Sequence, residues 1–295
     1  VFIALLSPLI FPIYLELHIL IIAGYLSLLI ILILDKRRVF FKLAKVDSLA
    51  YLFLGFALVF VFLIFDIQND LNGPTFIHRD FFGTLKIYLT QDNKQNYKIS
   101  LYHGKILHGS ELVDPEKRCI PTTYYSNKGT GVGAAFAALD SKEQLRIGVV
   151  GLGAGTLAAY ADGNNYIRFY EINPKIKEIA ENNFYFLSEC ANDYDIVLGD
   201  ARISLEKEEG QNFDILVMDA FSGDAVPIHL LTKESFTIYL NHLTQDGILA
   251  VHISNLYINL QPVIAALADE LGLSYVIVVN GSDNQDIQTS STWAL

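Results

Sequence analysis

Cysteine is scarce. The 295 residues hold two, Cys119 and Cys190. They form no CxxC and no zinc-like spacing, which excludes a zinc ribbon or a dithiol redox motif. They are expected to be buried or incidental thiols, they leave the redox compartment open, and no metal site is expected. Positive charge is also short: 21 Lys and Arg stand against 32 Asp and Glu, a formal net charge of −11. A nucleic-acid binder needs a basic footprint, so nucleic acid is excluded as a partner. Internal repeats and low-complexity tracts are missing. No basic leader precedes the first apolar run and no small-residue cleavage site follows it, so a cleavable signal peptide does not fit. What the chain has in excess is apolar character. Hydrophobic residues make up 52% and mean hydropathy is +0.34. Both exceed an ordinary soluble protein, and membrane segments are expected.

Three apolar segments fill the first 65 residues. Val1–Ile13 is about half a span long. Ile19–Leu34, extended back to Tyr14, has the ~20 residues a span requires. Ser48–Phe65 is a third candidate. Residues 1–66 are therefore read as a membrane region of two to three transmembrane helices, multi-pass in the cell inner membrane, with the lipid bilayer as a partner. The loop between the last two spans carries Lys36, Arg37, Arg38, Lys42 and Lys45, and positive loops stay cytoplasmic. Asp66, Asn69 and Asp70 follow the third segment. Taken literally, this places everything after residue 66 outside the cytoplasm, but upstream spans would change that, so the side stays open. A chain that opens on Val1 inside an apolar run and stops at Trp293–Leu295 in a strand-like run is expected to be a piece cut at both ends.

Asn72-Gly73-Pro74 breaks the pattern. Residues 76–112 alternate in strand fashion around a turn at Asp92-Asn93, which predicts a small antiparallel β unit. That unit and a connecting loop occupy 76–140, with a short helix at Ala134–Leu139. From 141 to 295 strand and helix patterns alternate, which implies an α/β domain with a parallel, doubly wound sheet. Strands are predicted at 146–150, 166–171, 194–198, 213–218, 248–253 and 274–279. Helices are predicted at 155–162, 174–183, 201–208, 230–243 and 259–271.

The stretch RIGVVGLGAGTLAAYADGNNYIRFYEINP, Arg146 to Pro174, carries the clearest signal. An apolar strand feeds a glycine-rich turn at Gly151, Gly153 and Gly155. A second strand ends at Glu171, about 20 residues on. This is the opening of a Rossmann-type nucleotide site: the glycines allow a tight turn and close backbone approach, and the acid can accept from ribose hydroxyls. Asp200 and Asp219 fall at the next two strand tips. Either may be read blandly, Asp200 as a helix N-cap and Asp219 as a turn acid. Together they fit an adenosyl-sulfonium site better than a dinucleotide site, which would spend its first turn on a pyrophosphate.

The segments HRDFFGTLKIY, LYHGKILHGSELVDPEKRCIPTTYY, GVVGLGAGTLAAYA, FYEINP, VLGDARISLE, VMDAFSGDAVPIHLLT and LAVHISN resemble the polyamine aminopropyltransferases, over about residues 76–295. The nearest likeness is to the branch with a spermidine-synthase-like domain fused behind a membrane region. The resemblance implies a class I methyltransferase-type Rossmann-like fold. It implies decarboxylated S-adenosylmethionine as aminopropyl donor and a small polyamine as acceptor. Glu171 would hold the ribose, Asp200 and Ala201 would face the adenine, and Asp219 would orient and deprotonate the amine. Tyr102, His103, His108 and Glu111 would wall the pocket, Tyr124 and Tyr125 would contact substrate, and Asp224 would be a second amine contact or part of a lid. His252 reads as a structural residue near the cleft floor. Three departures fall on the diamine half: Asp219-Ala220-Phe221-Ser222-Gly223-Asp224 replaces the family's Asp-Ser-Ser-Asp-Pro-like run, Glu111 stands for a glutamine, and Ser126 follows Tyr125 where a glutamate is usual. Two other readings stay open. One is a methyltransferase using S-adenosylmethionine itself. The other is a non-catalytic polyamine- or nucleoside-sensing domain on a transporter-like membrane part. Homo-oligomer formation, common in the family through N-terminal regions, is likewise open.

Overall fold

The computed structural model describes residues 6–34, 48–91, 96–126, 129–221, 226–255, 257–282 and 288–295. The chain divides into two compact units, Val1–Lys86 and Ile87–Leu295.

The first unit holds α1 (Ser7–Ile10), α2 (Glu16–Leu34), α3 (Ser48–Leu71), β1 (Phe76–Asp80) and the start of β2 (Gly83–Gln91). Among the described residues one helix is long and apolar enough to cross a membrane, Ala50–Leu71, 22 residues with a mean hydropathy of 2.5. At 1.5 Å per residue such a helix covers roughly the 30 Å of a bilayer's hydrocarbon core. The apolar helix Glu16–Ile31 is shorter. The two run antiparallel: His18 pairs with Asp66 at 3.0 Å and Tyr25 donates to the Leu52 carbonyl at 3.1 Å. Gly55 makes room for that tyrosine, since a Cβ there would lie 2.7 Å from its hydroxyl. Below the helices Arg79 is buried against Glu16 at 2.5 Å and the Ile13 carbonyl at 2.8 Å. Of the first predicted span the described part, from Leu6 on, holds only the four-residue α1. The basic loop at 36–45 and the turn at Asp92-Asn93 lie outside the described residues.

The second unit begins with the rest of β2, then β3 (Tyr97–His103) and β4 (Ile106–Leu112), an antiparallel hairpin closed at Gly104, where φ is +61°. Then come α4 (Gly131–Ala138), β5 (Arg146–Val150), β6 (Tyr166–Glu171), α5 (Pro174–Asn183), β7 (Asp193–Leu198), α6 (Ala201–Lys207), β8 (Phe213–Met218), α7 (Lys233–Asn241), β9 (Leu243–His252), α8 (Gln261–Leu271), β10 (Ile277–Asn280) and β11 (Ser291–Ala294). The seven-stranded sheet has the order β10-β11-β9-β8-β5-β6-β7. Strands β9, β8, β5, β6 and β7 are parallel. Chain order reverses between β5 and β8, the point where open α/β sheets leave a crevice beyond the strand ends. Every residue of β8 is buried, as expected for a central strand covered on both faces.

The sheet is not wholly parallel as the alternation predicted. β11 lies antiparallel between β9 and β10. The predicted helix at 155–162 is a five-residue 3₁₀ turn, Thr156–Tyr160. The connection is too short for more, because β6 begins at Tyr166. The cysteines are the second correction: Cys119 and Cys190 are joined as a disulfide with Cα atoms 5.4 Å apart. Their 71-residue separation hid a contact that only the fold creates.

Candidate functional site

The glycine-rich turn sits between the ends of β6 and β8. Gly151 donates its N–H to the Tyr170 carbonyl, and Asp219 donates its N–H to the Val150 carbonyl, both at 2.9 Å. Two glycines are required on space as well as on φ. At Gly151 (φ +99°) a Cβ would lie 2.6 Å from the Asp219 carbonyl oxygen, and at Gly153 (φ +55°) 2.7 Å from the His108 carbonyl oxygen. The turn is thus pressed against β8's tip on one side and β4 on the other. Gly155 has φ +81° and opens the 3₁₀ turn.

Glu171 ends β6 and is buried. It accepts from the Leu152 N–H at 3.0 Å and the Asn173 N–H at 2.7 Å. Burial pushes its carboxyl above the usual range against these hydrogen bonds. Asp200 is the N-cap of α6, accepting from the Ile203 N–H at 3.0 Å, and its second oxygen lies 3.0 Å from His229 Nε2. Its capping role is therefore real, and Ala201 follows it as a buried first residue of the helix.

Asp219 lines a cavity of about 50 Å³ together with Ile106, Leu107, His108, Tyr124, Tyr125, Phe221, His252 and Ser254. Tyr125 donates to its Oδ2 at 2.5 Å, and His252 Nδ1 lies 2.6 Å from its Oδ1. Burial first, and the Asp219 charge second, hold the Tyr125 phenol well above its ordinary pKa. Its protonated hydroxyl is a permanent donor. The His252 ring stacks on Trp293 at 4.3 Å and 7° and meets the edge of Phe221 at 4.9 Å. Tyr124 packs beside it at 5.3 Å. Just before the two tyrosines Thr123 holds φ +58°, and its carbonyl accepts from the Thr289 N–H at 3.0 Å.

His252, expected as a structural residue near the cleft floor, touches the Asp219 carboxylate. The register contained the signal. Met218 pairs with Val251, so the residues that follow in the two parallel strands, Asp219 and His252, emerge side by side. Ser254 and Trp293 carry no site signal of their own in the sequence, and Phe221 does so only within the run that departs from the family.

The residues of the β3–β4 hairpin divide. His108 faces the cavity with its Nε2 sealed from solvent and without a hydrogen-bond partner. Burial lowers its pKa to about 4, so the ring is neutral at physiological pH. His103 lies 5.4 Å from it, ring to ring, and Tyr102 packs edge-on to Tyr88 at 5.3 Å. Glu111 turns elsewhere: it is fully buried and both its oxygens accept from the Tyr185 N–H at 3.0 Å. Asp224 lies outside the described residues, and no group of three or more potential metal ligands occurs among the described residues.

Glu111 belongs to a clamp. Arg118 pairs with Glu189 at 2.6 Å and lies over the Tyr185 ring at 3.7 Å, next to the Cys119–Cys190 disulfide. The clamped segment carries Leu187, which abuts Gly155. Burial raises the Glu111 pKa from 4.5 to about 7. The folded state therefore favours the neutral acid, and stability falls as pH rises from 4.5 through 7. Glu111→Gln is expected to flatten this part of the stability–pH curve and to gain most over wild type above pH 7. Urea melts at several pH values check it, and an unchanged slope would refute it.

These features define a Rossmann-like α/β fold with a crevice at its strand tips. No protein-family model matches the chain. It is similar to the polyamine aminopropyltransferase of Vibrio vulnificus, 29% identical over 154 residues, 50% of this chain and 49% of that protein. The chain thus spans about half the length of the curated relative it matches. Among solved structures it is similar to a probable spermidine synthase from Corynebacterium glutamicum, with a TM-score of 0.55 and 16% identity over 71% of this chain and 76% of the other. It is also similar to the spermidine synthase of Thermotoga maritima, with a TM-score of 0.55 and 12% identity over 76% and 72%. A third, a spermidine synthase in complex with the transition state analogue AdoDATO, gives a TM-score of 0.53 at 12% identity. The chain is thus similar to a polyamine aminopropyltransferase in sequence over half its length, and to spermidine synthases in fold over about three-quarters.

Proposed function

We propose that the chain is a membrane-anchored aminopropyltransferase. It would move an aminopropyl group from decarboxylated S-adenosylmethionine to a polyamine and release methylthioadenosine. The observation that carries the proposal is the Asp219 carboxylate, fixed by Tyr125 and His252 at the wall of a cavity beside the glycine-rich turn. In this reading the turn and Glu171 hold the adenosyl ribose, and Asp200 with Ala201 lies along the adenine. Tyr124, Tyr125 and His108 enclose the amine, with His103 behind them. A carboxylate attracts both a sulfonium and an ammonium. Once the ammonium loses a proton, the free lone pair attacks the carbon next to sulfur, and the C–S bond pair leaves with methylthioadenosine. Positioning in line with that bond supplies much of the acceleration. Helix α3 is the proposed anchor.

The disulfide favours a second reading. Such bonds persist in oxidising compartments, whereas the donor is a cytoplasmic metabolite in the family this chain resembles. A sensing domain for polyamines or nucleosides would tolerate that separation. Product identification by mass spectrometry decides. The full-length protein in detergent is given decarboxylated S-adenosylmethionine or S-adenosylmethionine with a polyamine pool. Methylthioadenosine plus an amine heavier by one aminopropyl unit is expected. S-adenosylhomocysteine would move the chain to the methyltransferases, and binding without either product would favour the sensor.

A further inference from the structure

The geometry points to His252, reached through Ser254, as the acceptor of the amine's proton, with Asp219 holding the ring rather than taking the proton. The inference rests on the reading of group transfer to an amine.

The direction of each hydrogen bond follows from which groups can only donate. The Thr292 N–H donates to Ser254 Oγ at 2.8 Å. Accepting that N–H leaves the hydroxyl's one proton free to point to its other neighbour, His252 Nε2, at 2.7 Å. The Asp219 carboxylate can only accept, so the ring proton sits on Nδ1 and is donated to Oδ1 at 2.6 Å, which leaves Nε2 of the neutral ring as the acceptor of the Ser254 proton. The other tautomer would set a lone pair against a carboxylate oxygen at the same distance. The second carboxylate oxygen accepts from Tyr125. Ser254 keeps one unused lone pair, and it lines the cavity with Asp219 and His108. Trp293 and Phe221 fix the plane of the ring.

Carboxylate, imidazole and hydroxyl in this sequence form the array by which hydrolases draw a proton from a serine. Here the serine is a relay, and the substrate amine stands where a nucleophile would. The ammonium N–H breaks and its proton goes to Ser254 Oγ as the hydroxyl's own proton passes to His252 Nε2. One positive charge moves from the amine to the ring, beside the Asp219 carboxylate, and the amine lone pair is free. No further reactant is needed. The titratable groups facing the ring are Asp219, Tyr124 and, across the cavity, Tyr125 and His108.

The test uses the full chain as wild type, His252→Asn and Ser254→Ala. Asparagine keeps an N–H for Asp219 but carries no base, and Ser254→Ala removes one hydroxyl should the buried histidine prove essential to folding. Methylthioadenosine release is followed from about pH 6 to about pH 10. Both variants are expected to lose about 10²-fold in kcat at neutral pH with KM for the amine unchanged. The deficit should close near pH 10, where a primary amine supplies its own free base. Nitrogen NMR of the ligand-free protein should show His252 protonated on Nδ1. A deficit constant across pH, a Ser254→Ala rate equal to wild type, or an Nε2–H tautomer overturns the relay while leaving transfer intact. A wild type that transfers nothing at any pH overturns both.

Discussion

Asp219→Asn is expected to lower kcat by about 10²- to 10⁴-fold, the range for disabling an acid–base step, since it strips His252 of the carboxylate that holds its ring. The amide is nearly isosteric, so the fold should survive, but the site's hydrogen bonds cannot. Two donors converge on the carboxylate, the Tyr125 hydroxyl at 2.5 Å and His252 Nδ1 at 2.6 Å. An asparagine offers one oxygen and one NH₂, so one of these contacts becomes donor against donor. The negative charge that would draw an ammonium is lost as well. Donor affinity should hold, because the glycine-rich turn, Glu171 and Asp200 keep their own backbone partners. Steady-state kinetics and isothermal titration of the donor on the same preparation separate the two effects. A variant with full transfer activity would sink the assignment of Asp219.

Opening the Cys119–Cys190 bond is expected to have the largest effect on stability. The bond closes a loop of 71 residues, and in the chain-entropy view such a constraint is worth about 4 kcal/mol against the unfolded chain. The double variant Cys119→Ser, Cys190→Ser should lose about this much in urea melts, and wild type in reductant should match it. The local consequence is sharper than the global one. The disulfide holds the segment Phe186–Cys190, whose Leu187 abuts Gly155. Loosening it should weaken donor binding before the protein unfolds. Equal midpoints with and without reductant would show that the bond does not form.

The alternating strands and helices were legible because each has a strong local cause. β5, β6 and β8 begin and end where apolar runs meet Gly151, Glu171 and Asp219, and Pro174 marks the start of α5. The antiparallel insertion of β11 was not legible, since pairing partners are chosen by tertiary contact. The same limit hid the disulfide. Within the site, the acids announced themselves by position at strand tips. His252 and Ser254 did not, because their meaning comes from lying beside Asp219, which is a property of register between β8 and β9. Glu111 shows the converse: a position suited to a pocket wall, with a side chain that turns toward Tyr185 instead.

The placement of β11 also governs the order of assembly. β9 and β10 do not pair with each other; each pairs with β11. While the chain is being made, α3 is complete long before Ser291–Ala294 leaves the ribosome. Until then β9 presents an unpaired edge, and such an edge invites pairing with other chains. Trp293 arrives with the same strand and supplies the face on which His252 stacks. The array around Asp219 therefore forms only after β11 has been made, and a nascent chain that has not yet reached Trp293 carries an incomplete site.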